Sequence, residues 1–442
     1  MSRRISGLLT LVALGAVATT AVVAQRSQEP EGPPNVLVIV TDDQRARGTL
    51  GVMPAVRRWF AGDGTRFVNA FTTTPLCCPA RSSILTGRYV HNHGVKHNVD
   101  SMGLDQTRTI PTLLHDEGYR TAIAGKFLNR WDPETAPPGF DRWAIFLAGE
   151  YYDRTFNIDG TVSREPDYTN AVVLRNALEF VDDFEENEDQ PWFMYVGTGA
   201  AHAPFTAEPA YEDAPVPTRY PDPSVYEVDT SDKPDFIAGK SNRKYLRRKQ
   251  LRALMSADDL VATLFERLEE AGELDNTIAV FMADNGMLWG EHGFTGKRHP
   301  YSDSIRIPLL LRWPGHIDQG AEDERLVANI DIAPTVMDAV GADVLASDGF
   351  SLLGATRREH LLVEHWGDEQ TSIPDWASIR SLSQQYTEYY RSGGAVLFRE
   401  YYDLERDPYQ LRNRAVGRTS PRMDRLHRRL ARERECVDQT CP

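Results

Sequence analysis

Short apolar runs of strand length recur along the chain, and longer amphipathic segments separate them. The runs lie at residues 35–40, 121–124, 192–196, 277–281 and 307–311. Continuous runs of this length are typical of strands that are buried on both faces of a parallel sheet. Amphipathic segments lie at residues 171–184 and 246–271, and Gly272 follows the second, where glycine commonly ends a helix. Alternating strands and helices predict an α/β fold with helices on both faces of one large sheet.

The sequence changes character near residue 345. Beyond it come short polar segments of strand length, an extended segment at residues 401–404 and an Arg-rich amphipathic segment at residues 423–435. A chain of 442 residues is long enough for one large domain and a smaller one. We therefore expect a large domain at residues 35–345 and a smaller C-terminal subdomain at residues 346–442, with the arginines of the last helix on a solvated face.

The charge and cysteine content exclude several classes of protein. The chain has 49 Lys and Arg residues against 64 Asp and Glu residues, a net charge of −15. This acidic excess argues against a nucleic-acid partner, because phosphate contacts need a basic face. An anionic substrate would need a locally basic site. Four cysteines are too few for a disulfide scaffold. Cys436 and Cys441 could close a small loop in an oxidising compartment, or remain free thiols.

The N-terminal 24 residues match a secretory signal peptide. Two arginines, Arg3 and Arg4, precede an apolar stretch at residues 5–24 that ends in small residues. The stretch is near the length that a bilayer needs, so an uncleaved anchor is the alternative. We favour cleavage, because glycines and threonines dilute the stretch, and the paired arginines also permit twin-arginine export. We expect residues 25–34 to form a linker, and the mature protein to be secreted, periplasmic or on the cell surface, without a stable membrane span.

Two pairs of polar residues follow two of the predicted strands. Asp42 and Asp43 come after the first apolar run, and Asp284 and Asn285 come after the fourth. Open α/β sheets bind ligands at the carboxyl ends of their strands. Four oxygen-bearing side chains at one sheet edge suit a hard divalent cation. One such pair alone would more simply begin a turn or cap a helix, but two pairs at equivalent strand ends favour a metal site.

A third polar element begins at Cys77 and runs to residue 88. Pro79 suits a first helical turn, so we expect residues 82–85 to be helical, with the helix N-terminus facing Cys77. Backbone N–H groups at a helix N-terminus favour an anion, and Arg81 adds a fixed positive charge. The alternative is that Cys77 and Cys78 are simply small buried thiols before a helix.

This element resembles the C-x-P-x-R-x-x-x-L-T-G signature of the formylglycine-dependent sulfatases. The matching residues are Cys77, Pro79, Arg81, Leu85, Thr86 and Gly87. Further family landmarks follow in order between residues 35 and 413; they are Asp42-Asp43, Gly125-Lys126, His202-Ala203-Pro204, Asp284-Asn285-Gly286, Gly296-Lys297 with Tyr301, Asp331 to Thr335, and Tyr402-Asp403-Leu404 with Asp407-Pro408. The resemblance implies an alkaline-phosphatase-like α/β fold: a large mixed, mostly parallel sheet flanked by helices, with a smaller C-terminal α+β subdomain. Residues 35–345 would then form the catalytic domain.

The resemblance also implies a nucleophile. In this family a formylglycine-generating enzyme oxidises the first cysteine of the signature, here Cys77, to an aldehyde that hydrates to a geminal diol. One hydroxyl attacks sulfur and becomes sulfated, and the second expels sulfate by C–O cleavage and regenerates the aldehyde. A plain serine or cysteine lacks this internal exit. The resemblance thus implies covalent catalysis by a nucleophile that a metal activates.

The remaining site residues follow from the same resemblance. The cation, usually calcium in this family, would be held by Asp42, Asp43, Asp284 and Asn285, and would also contact Cys77. The positive charges of Arg81, Lys126 and Lys297 would neutralise the sulfate and the charge that develops during transfer. His202 would protonate the leaving alcohol. Without the family, His202 would be read as a loop histidine and both lysines as surface residues.

One departure from the general pattern is informative. Many sulfatases have a histidine two residues after the lysine of Gly125-Lys126, whereas this chain has Leu128 followed by Asn129. This segment resembles the branch that acts on the 6-O-sulfate of N-acetylglucosamine. We hypothesise that Asn129 makes a polar contact near the nucleophile. His91 and His93 also follow this branch, and either lie near the site or serve packing and hydrogen bonding.

The sequence thus predicts a calcium-dependent sulfatase that acts on a sulfated sugar. An arylsulfatase or a hydrolase of phosphate or phosphonate esters is the enzymatic alternative, because the same residues stabilise any tetrahedral oxyanion. If Cys77 stays a thiol, the site could bind sulfated glycans without turning them over. The oxygen ligands could also merely stabilise the fold.

Overall fold

A ten-stranded mixed sheet lies at the centre of the protein. The computed structural model describes residues 32–147, 150–186, 190–237, 244–342, 346–368, 371–418 and 420–442. The predicted signal peptide at residues 1–24 and most of the predicted linker lie outside the described residues. Within the described residues, no helix combines the length and apolar character that a membrane span requires.

The strands and helices alternate along most of the chain, as the apolar pattern predicts. The strands are β1 (Asn35–Thr41), β2 (Thr65–Phe71), β3 (Arg120–Gly125), β4 (Arg142–Phe146), β5 (Arg154–Ile158), β6 (Thr161–Glu165), β7 (Trp192–Gly197), β8 (Thr277–Ala283), β9 (Leu288–Trp289), β10 (Thr295–Gly296), β11 (Leu309–Arg312), β12 (Ala321–Ala328), β13 (Leu361–His365), β14 (Trp376–Arg380), β15 (Gln384–Tyr390) and β16 (Val396–Asp403). The α-helices are α1 (Pro54–Val56), α2 (Cys77–Thr86), α3 (Val90–His93), α4 (Ile110–Asp116), α5 (Thr169–Glu185), α6 (Lys244–Ala271), α7 (Ser302–Ile305), α8 (Ile332–Ala339) and α9 (Pro421–Glu433).

The large sheet has the strand order β12-β2-β11-β8-β1-β7-β3-β4-β5-β6. Its central strands β8, β1, β7, β3 and β4 are parallel to one another. All five predicted runs form strands of this sheet. The prediction for the last run is wrong about the direction of the strand. β11 begins at Leu309 and pairs antiparallel with both β8 and β2. A fully apolar run shows that a strand is buried on both faces, but it does not show its direction.

Two apolar layers cover the two faces of the sheet. Every residue of β1 and β8 is buried. One layer contains Leu37 and Ile39 with the apolar faces of α5 and α6. The other contains Val36 and Val38 with side chains of α2, α4 and α8. Because successive strand residues point to opposite faces, the continuous apolar run of β1 supplies both layers.

The C-terminal part forms a second, four-stranded antiparallel sheet in the order β13-β14-β15-β16. The expectation of polar strands is wrong here, because β13 and β14 are buried along their whole length. Their buried side chains form an apolar cluster with Leu426 and Leu430 of α9. Cys436 and Cys441 form a disulfide, so the first of the two alternatives for these thiols is correct. The domain division between residues 345 and 346 stays a prediction.

Candidate active site

The two pairs of polar residues meet because β1 and β8 are adjacent and in register. Thr41, the last residue of β1, pairs with Ala283, the last residue of β8. Asp42 and Asp284 therefore leave the sheet side by side. The backbone N–H of Asp43 donates to Asp284 Oδ1 at 3.0 Å, across 241 residues of sequence. Carboxylate oxygens of Asp42, Asp43 and Asp284 all lie within 4.8 Å of one another.

Cys77 is the first residue of helix α2 and points into this cluster. Its Sγ lies 3.5 Å from Asp42 Oδ1 and 3.9 Å from Asp43 Oδ1. The observed helix is longer than the predicted one at residues 82–85, because α2 begins at Cys77 itself. Gly87 ends the helix at a φ of 68°, in the left-handed region that glycine tolerates. The positive end of the helix dipole thus lies at Cys77.

Arg81, one turn further along α2, is buried and fixed by three hydrogen bonds. Its Nε donates to Asp284 Oδ2 at 2.9 Å. Its Nη1 donates to the Lys126 carbonyl at 2.9 Å and to the Tyr195 hydroxyl at 3.2 Å. Its Nη2 has no hydrogen-bond partner among the described residues. Arg81 therefore supplies a rigid positive charge with a donor that an anion could use.

Two lysines add positive charge beside the acidic cluster. Lys126 follows β3 and its Nζ donates to Asp42 Oδ2 at 2.5 Å. Lys297 follows β10 and its Nζ lies 2.5 Å from Asp43 Oδ1 and 2.6 Å from Cys77 Sγ. Gly125, just before Lys126, has a φ of 104°, and a Cβ there would lie 1.9 Å from the Gly197 carbonyl oxygen. Only glycine therefore lets β3 bring Lys126 this close to the end of β7.

The carboxylates and lysines perturb one another strongly. Burial alone would raise the pKa of the Asp42 carboxyl. Lys126 and the other neighbouring cations together lower it by more, so the net pKa is well below its usual value. Burial and the charge of Asp42 raise the pKa of Asp284. Burial alone would lower the pKa of both lysines. Asp42 raises the pKa of Lys126 and Asp43 raises that of Lys297 by more, so the net pKa of each lysine is raised. Both lysines are therefore cationic at neutral pH.

The unmodified thiol of Cys77 is a poor nucleophile in this environment. Burial raises its pKa to about 12, although Lys126 and Lys297 oppose the shift. The thiolate is the nucleophilic form of cysteine, and at neutral pH it is almost absent here. The site thus surrounds Cys77 with charged groups but does not activate its thiol.

His202 lies at the open side of the cluster, in the loop after β7. Its Nδ1 is 2.7 Å from the Ala203 carbonyl, which can only accept, so Nδ1 is the protonated nitrogen. Its Nε2 faces the acidic cluster and lies 3.9 Å from Asp43 Oδ2. The side chain is 42% exposed. His202 can therefore present Nε2 to a bound ligand and exchange protons with solvent.

The chemistry of the donor set fits a divalent cation. Asp42, Asp43 and Asp284 contribute buried carboxylates, and Asn285 Nδ2 donates to Asp43 Oδ1 at 2.7 Å. The Asn285 Oδ1 atom is buried and accepts no hydrogen bond among the described residues. A buried carbonyl-type oxygen without a donor is costly unless a ligand satisfies it. Three carboxylates and one amide oxygen are ligands that calcium prefers.

A cavity of about 680 Å³ opens beside these residues. Asp42, Lys126 and His202 form the wall nearest to the cluster. The rest of the lining mixes polar and aromatic side chains and includes Asn98, Asn129, Trp131, Phe146, Tyr151 and Arg154. A cleft of this size that combines apolar surface with a few polar groups is typical of small-ligand sites.

All nine predicted site residues therefore meet in one place. Asn129 lines the cavity, and its buried Oδ1 has no partner among the described residues, so its hypothesised polar contact near the nucleophile stays a prediction. His91 and His93 do not line the cavity. His91 bonds Glu364 and the Cys436 carbonyl, and His93 bonds Ser83 of α2, so both support packing.

Two residues at the site were not predicted from sequence. Tyr195 on β7 binds Arg81, and Gln250 on α6 binds the loops of Asp43 and Ala201. A signal for Gln250 existed, because it is a polar residue on the apolar stripe that Leu246, Ala253 and Leu254 form at helical spacing. No comparable signal marks Tyr195, because tyrosine is common in buried strands.

Comparison with known proteins places this geometry in a family. The model of the family described as Sulfatase matches residues 34–342, and the model described as N-sulphoglucosamine sulphohydrolase, C-terminal, matches residues 290–436. The chain belongs to the sulfatase family. It is therefore an enzyme that hydrolyses sulfate esters, as the signature at Cys77 predicts.

Two named relatives of this sulfatase differ in how much of their own length it covers. It is 30% identical to human N-acetylglucosamine-6-sulfatase, over 92% of this chain and 86% of that protein. It is 33% identical to the extracellular sulfatase SULF-1 homolog of Drosophila melanogaster, over 81% of this chain but 34% of that protein. The sulfatase thus spans nearly all of the first relative and about a third of the second.

Solved structures share the fold. A structure determined in complex with D-glucosamine-2-N,6-O-disulfate superposes with a TM-score of 0.79 at 23% identity, covering 91% of this chain and 98% of that chain. The predicted alkaline-phosphatase-like fold, with its large mixed sheet and smaller C-terminal sheet, is confirmed.

Proposed function

We propose that this sulfatase removes the 6-O-sulfate of an N-acetylglucosamine-type sugar, with a hydrated formylglycine at Cys77 and a calcium ion in the acidic cluster. The observation that supports this best is the convergence on Cys77 Sγ of Asp42, Asp43 and Lys297, at 3.5, 3.9 and 2.6 Å. Asp42, Asp43, Asp284 and Asn285 would hold the ion. The modified residue would supply a hydroxyl nucleophile, and the ion would lower the pKa of that hydroxyl.

The cations of the site would bind the sulfate group. Arg81 Nη2 is a buried donor without a hydrogen-bond partner among the described residues, Lys126 bonds Asp42, and Lys297 contacts Cys77. These charges are fixed by hydrogen bonds before substrate arrives, so little reorganisation is needed as negative charge grows on the transferred group. This accounts for anion binding by a chain whose net charge is −15.

His202 would donate the proton that the leaving sugar alkoxide requires. Because its Nδ1 donates to the Ala203 carbonyl, the proton available for transfer is on Nε2 of the imidazolium form. Nε2 faces the acidic cluster, 3.9 Å from the Asp43 carboxylate. Solvent exposure of the ring allows it to be reprotonated after each turnover.

The cavity favours a sugar over a small aryl group as the natural leaving group. Its volume of about 680 Å³ exceeds the space that a single phenyl ring needs. Its lining offers amides, acids and Arg154 beside aromatic rings, and sugars bind through such mixtures of hydrogen bonds and apolar contact. The human relative at 30% identity is named for 6-sulfated N-acetylglucosamine, which supports the same substrate class.

Comparative kinetics test this assignment. We expect kcat/KM to be highest for N-acetylglucosamine 6-sulfate, lower for 4-nitrophenyl sulfate and lowest for 4-nitrophenyl phosphate, because only the sugar fills the cavity. All three are measured with the same calcium-loaded preparation. A higher value for the aryl sulfate would instead indicate an arylsulfatase, and a higher value for the phosphate would indicate a phosphoester hydrolase.

Replacing His202 by alanine should slow the sugar sulfate by about 10²- to 10⁴-fold in kcat, the usual contribution of a general acid. The loss on 4-nitrophenyl sulfate should be far smaller, because nitrophenolate leaves without protonation. His115→Ala is the matched control, since His115 is similarly exposed, at 50%, and lies on α4 away from the cavity lining. Equal losses on both substrates would contradict the general-acid role.

We also propose that the protein is secreted and that a formylglycine-generating enzyme modifies it. The disulfide between Cys436 and Cys441 supports an oxidising compartment. The N-terminal signal-like segment and the extracellular sulfatase relatives support the same location. Sequencing the N-terminus of the exported protein tests the cleavage expected near residue 24.

A further inference from the structure

Gln250 connects the two loops that form the candidate active site. It lies on α6, on the face of the helix turned toward the sheet, and its side chain is fully buried. Its Nε2 donates to the Asp43 carbonyl at 2.9 Å and to the Ala201 carbonyl at 3.3 Å. Its Oε1 accepts from Trp289 Nε1 at 2.5 Å. One amide thus joins the loop after β1, the loop after β7 and strand β9.

The bond to the Asp43 carbonyl matters because Asp43 has an unusual backbone conformation. Asp42 and Asp43 are consecutive residues just after β1, yet both direct carboxylates at Cys77. They can do so because Asp43 has a φ of 61°, in the left-handed region that disfavours residues other than glycine. The Asp43 N–H donates to Asp284 and the Asp43 carbonyl accepts from Gln250, so this peptide is held from both sides.

The bond to the Ala201 carbonyl holds the loop after β7, which contains His202. Ala201 immediately precedes His202, and its N–H donates to the Asp42 carbonyl at 2.7 Å. The Asp42 N–H in turn donates to the Ala200 carbonyl at 3.0 Å. Gln250 bonds the carbonyls of Ala201 and of Asp43, the residue after Asp42, so it links the loop that contains His202 to the acidic cluster.

The chemistry of the position requires an amide. Two carbonyls need donors and one indole N–H needs an acceptor, and a glutamine side chain provides all three. A glutamate would offer no donor, and a lysine or arginine would offer no acceptor. We propose that Gln250 is a positioning residue that holds Asp43 in its metal-binding conformation and His202 at its working distance. This inference rests on the proposed metal site.

The test is calorimetric titration of calcium into metal-free full-length protein, beside kinetics on N-acetylglucosamine 6-sulfate. Gln250→Met keeps the length of the side chain and removes the three hydrogen bonds. We expect the calcium Kd to rise about 10- to 100-fold, as is usual when a group that orients metal ligands is lost, with kcat falling in calcium-saturated protein. Gln250→Glu, which keeps the acceptor for Trp289, should weaken calcium binding to a similar extent.

Asn413→Leu is the matched control. Asn413 is also a buried amide that donates to two backbone carbonyls, those of Asp232 and Arg399, both at 3.0 Å. Its loss should lower Tm and leave the calcium Kd unchanged. If Gln250 had a purely structural role, Gln250→Met would likewise lower Tm and leave the calcium Kd unchanged. A wild-type calcium Kd in Gln250→Met therefore overturns the inference.

A second variant covers the case in which the Gln250 variants do not fold. Trp289→Phe removes the indole donor to Gln250 Oε1 and keeps an aromatic ring at this position, and a several-fold rise in the calcium Kd is expected from the freed amide. An unchanged Kd there would overturn the inference. Wild-type protein that binds no calcium would instead contradict the proposed metal site, which separates the two failures.

Discussion

Cys77→Ala is expected to abolish sulfate-ester hydrolysis, with a fall in kcat/KM of at least about 10⁴-fold, because loss of a covalent nucleophile removes most of an enzyme's acceleration. The change deletes one sulfur atom, so the fold and the acidic cluster should persist. Cys78→Ala is the matched control. Cys78 is equally buried, but it faces the apolar layer with Val36 and Ile84, and its loss should change kcat/KM only slightly.

Mass spectrometry of the same preparations identifies the reacting group. Trypsin releases residues 67–81 as one peptide that contains both cysteines. In active protein we expect an aldehyde in place of the Cys77 thiol and one thiol, Cys78, that can be alkylated. Full activity with two alkylatable thiols would contradict the mechanism. Two thiols together with binding of a sulfated glycan but no turnover would support the non-catalytic alternative.

Asp42→Ala is expected to reduce kcat/KM by more than about 100-fold, above the usual effect of residues that merely orient metal ligands. Asp42 is central to the site, because its Oδ1 lies 3.5 Å from Cys77 Sγ and its Oδ2 accepts from Lys126 at 2.5 Å. Removing calcium from wild-type protein by a chelator should have the same effect, and added calcium should restore activity. An ion that binds only the folded state stabilises it by about 2.7 kcal/mol at 100 times its Kd, so chelation should also lower Tm.

Asp258→Ala controls for the loss of a buried aspartate. Asp258 accepts hydrogen bonds from the backbone N–H groups of Ala55 and Val56, both at 2.9 Å, and lies outside the acidic cluster. It should lower Tm without changing kcat/KM. If Asp42→Ala behaves in the same way, the oxygen ligands only stabilise the fold and the catalytic role is wrong.

Several elements of the fold could be predicted because local pattern is enough to define them. The apolar runs of β1, β3, β7 and β8 are buried on both faces, as is typical of strands in parallel sheets. The direction of β11 was not predictable, since burial on both faces does not depend on strand direction. The C-terminal strands were expected to be polar, but β13 and β14 are buried.

The candidate site was predicted in its residue types and not in its geometry. The acidic pairs stand at strand ends, where ligands bind in open sheets, and the Cys77 segment has a long and specific signature. Gln250 was missed because helical periodicity shows which face is buried but not what that face contacts. The members of its network, Trp289, Ala201 and Asp43, lie 39, 49 and 207 residues away in the sequence.

By itself the sequence determined which side chains are the candidates for the chemistry, because strand ends, a helix start and a cysteine signature are local features that do not depend on distant contacts. Only the tertiary structure decided that these side chains meet. The pairing of Thr41 with Ala283, the left-handed turn at Asp43 and the direction of His202 Nε2 depend on contacts between distant segments. Such contacts form only when the whole sheet assembles, since each buried polar group must then find its partner.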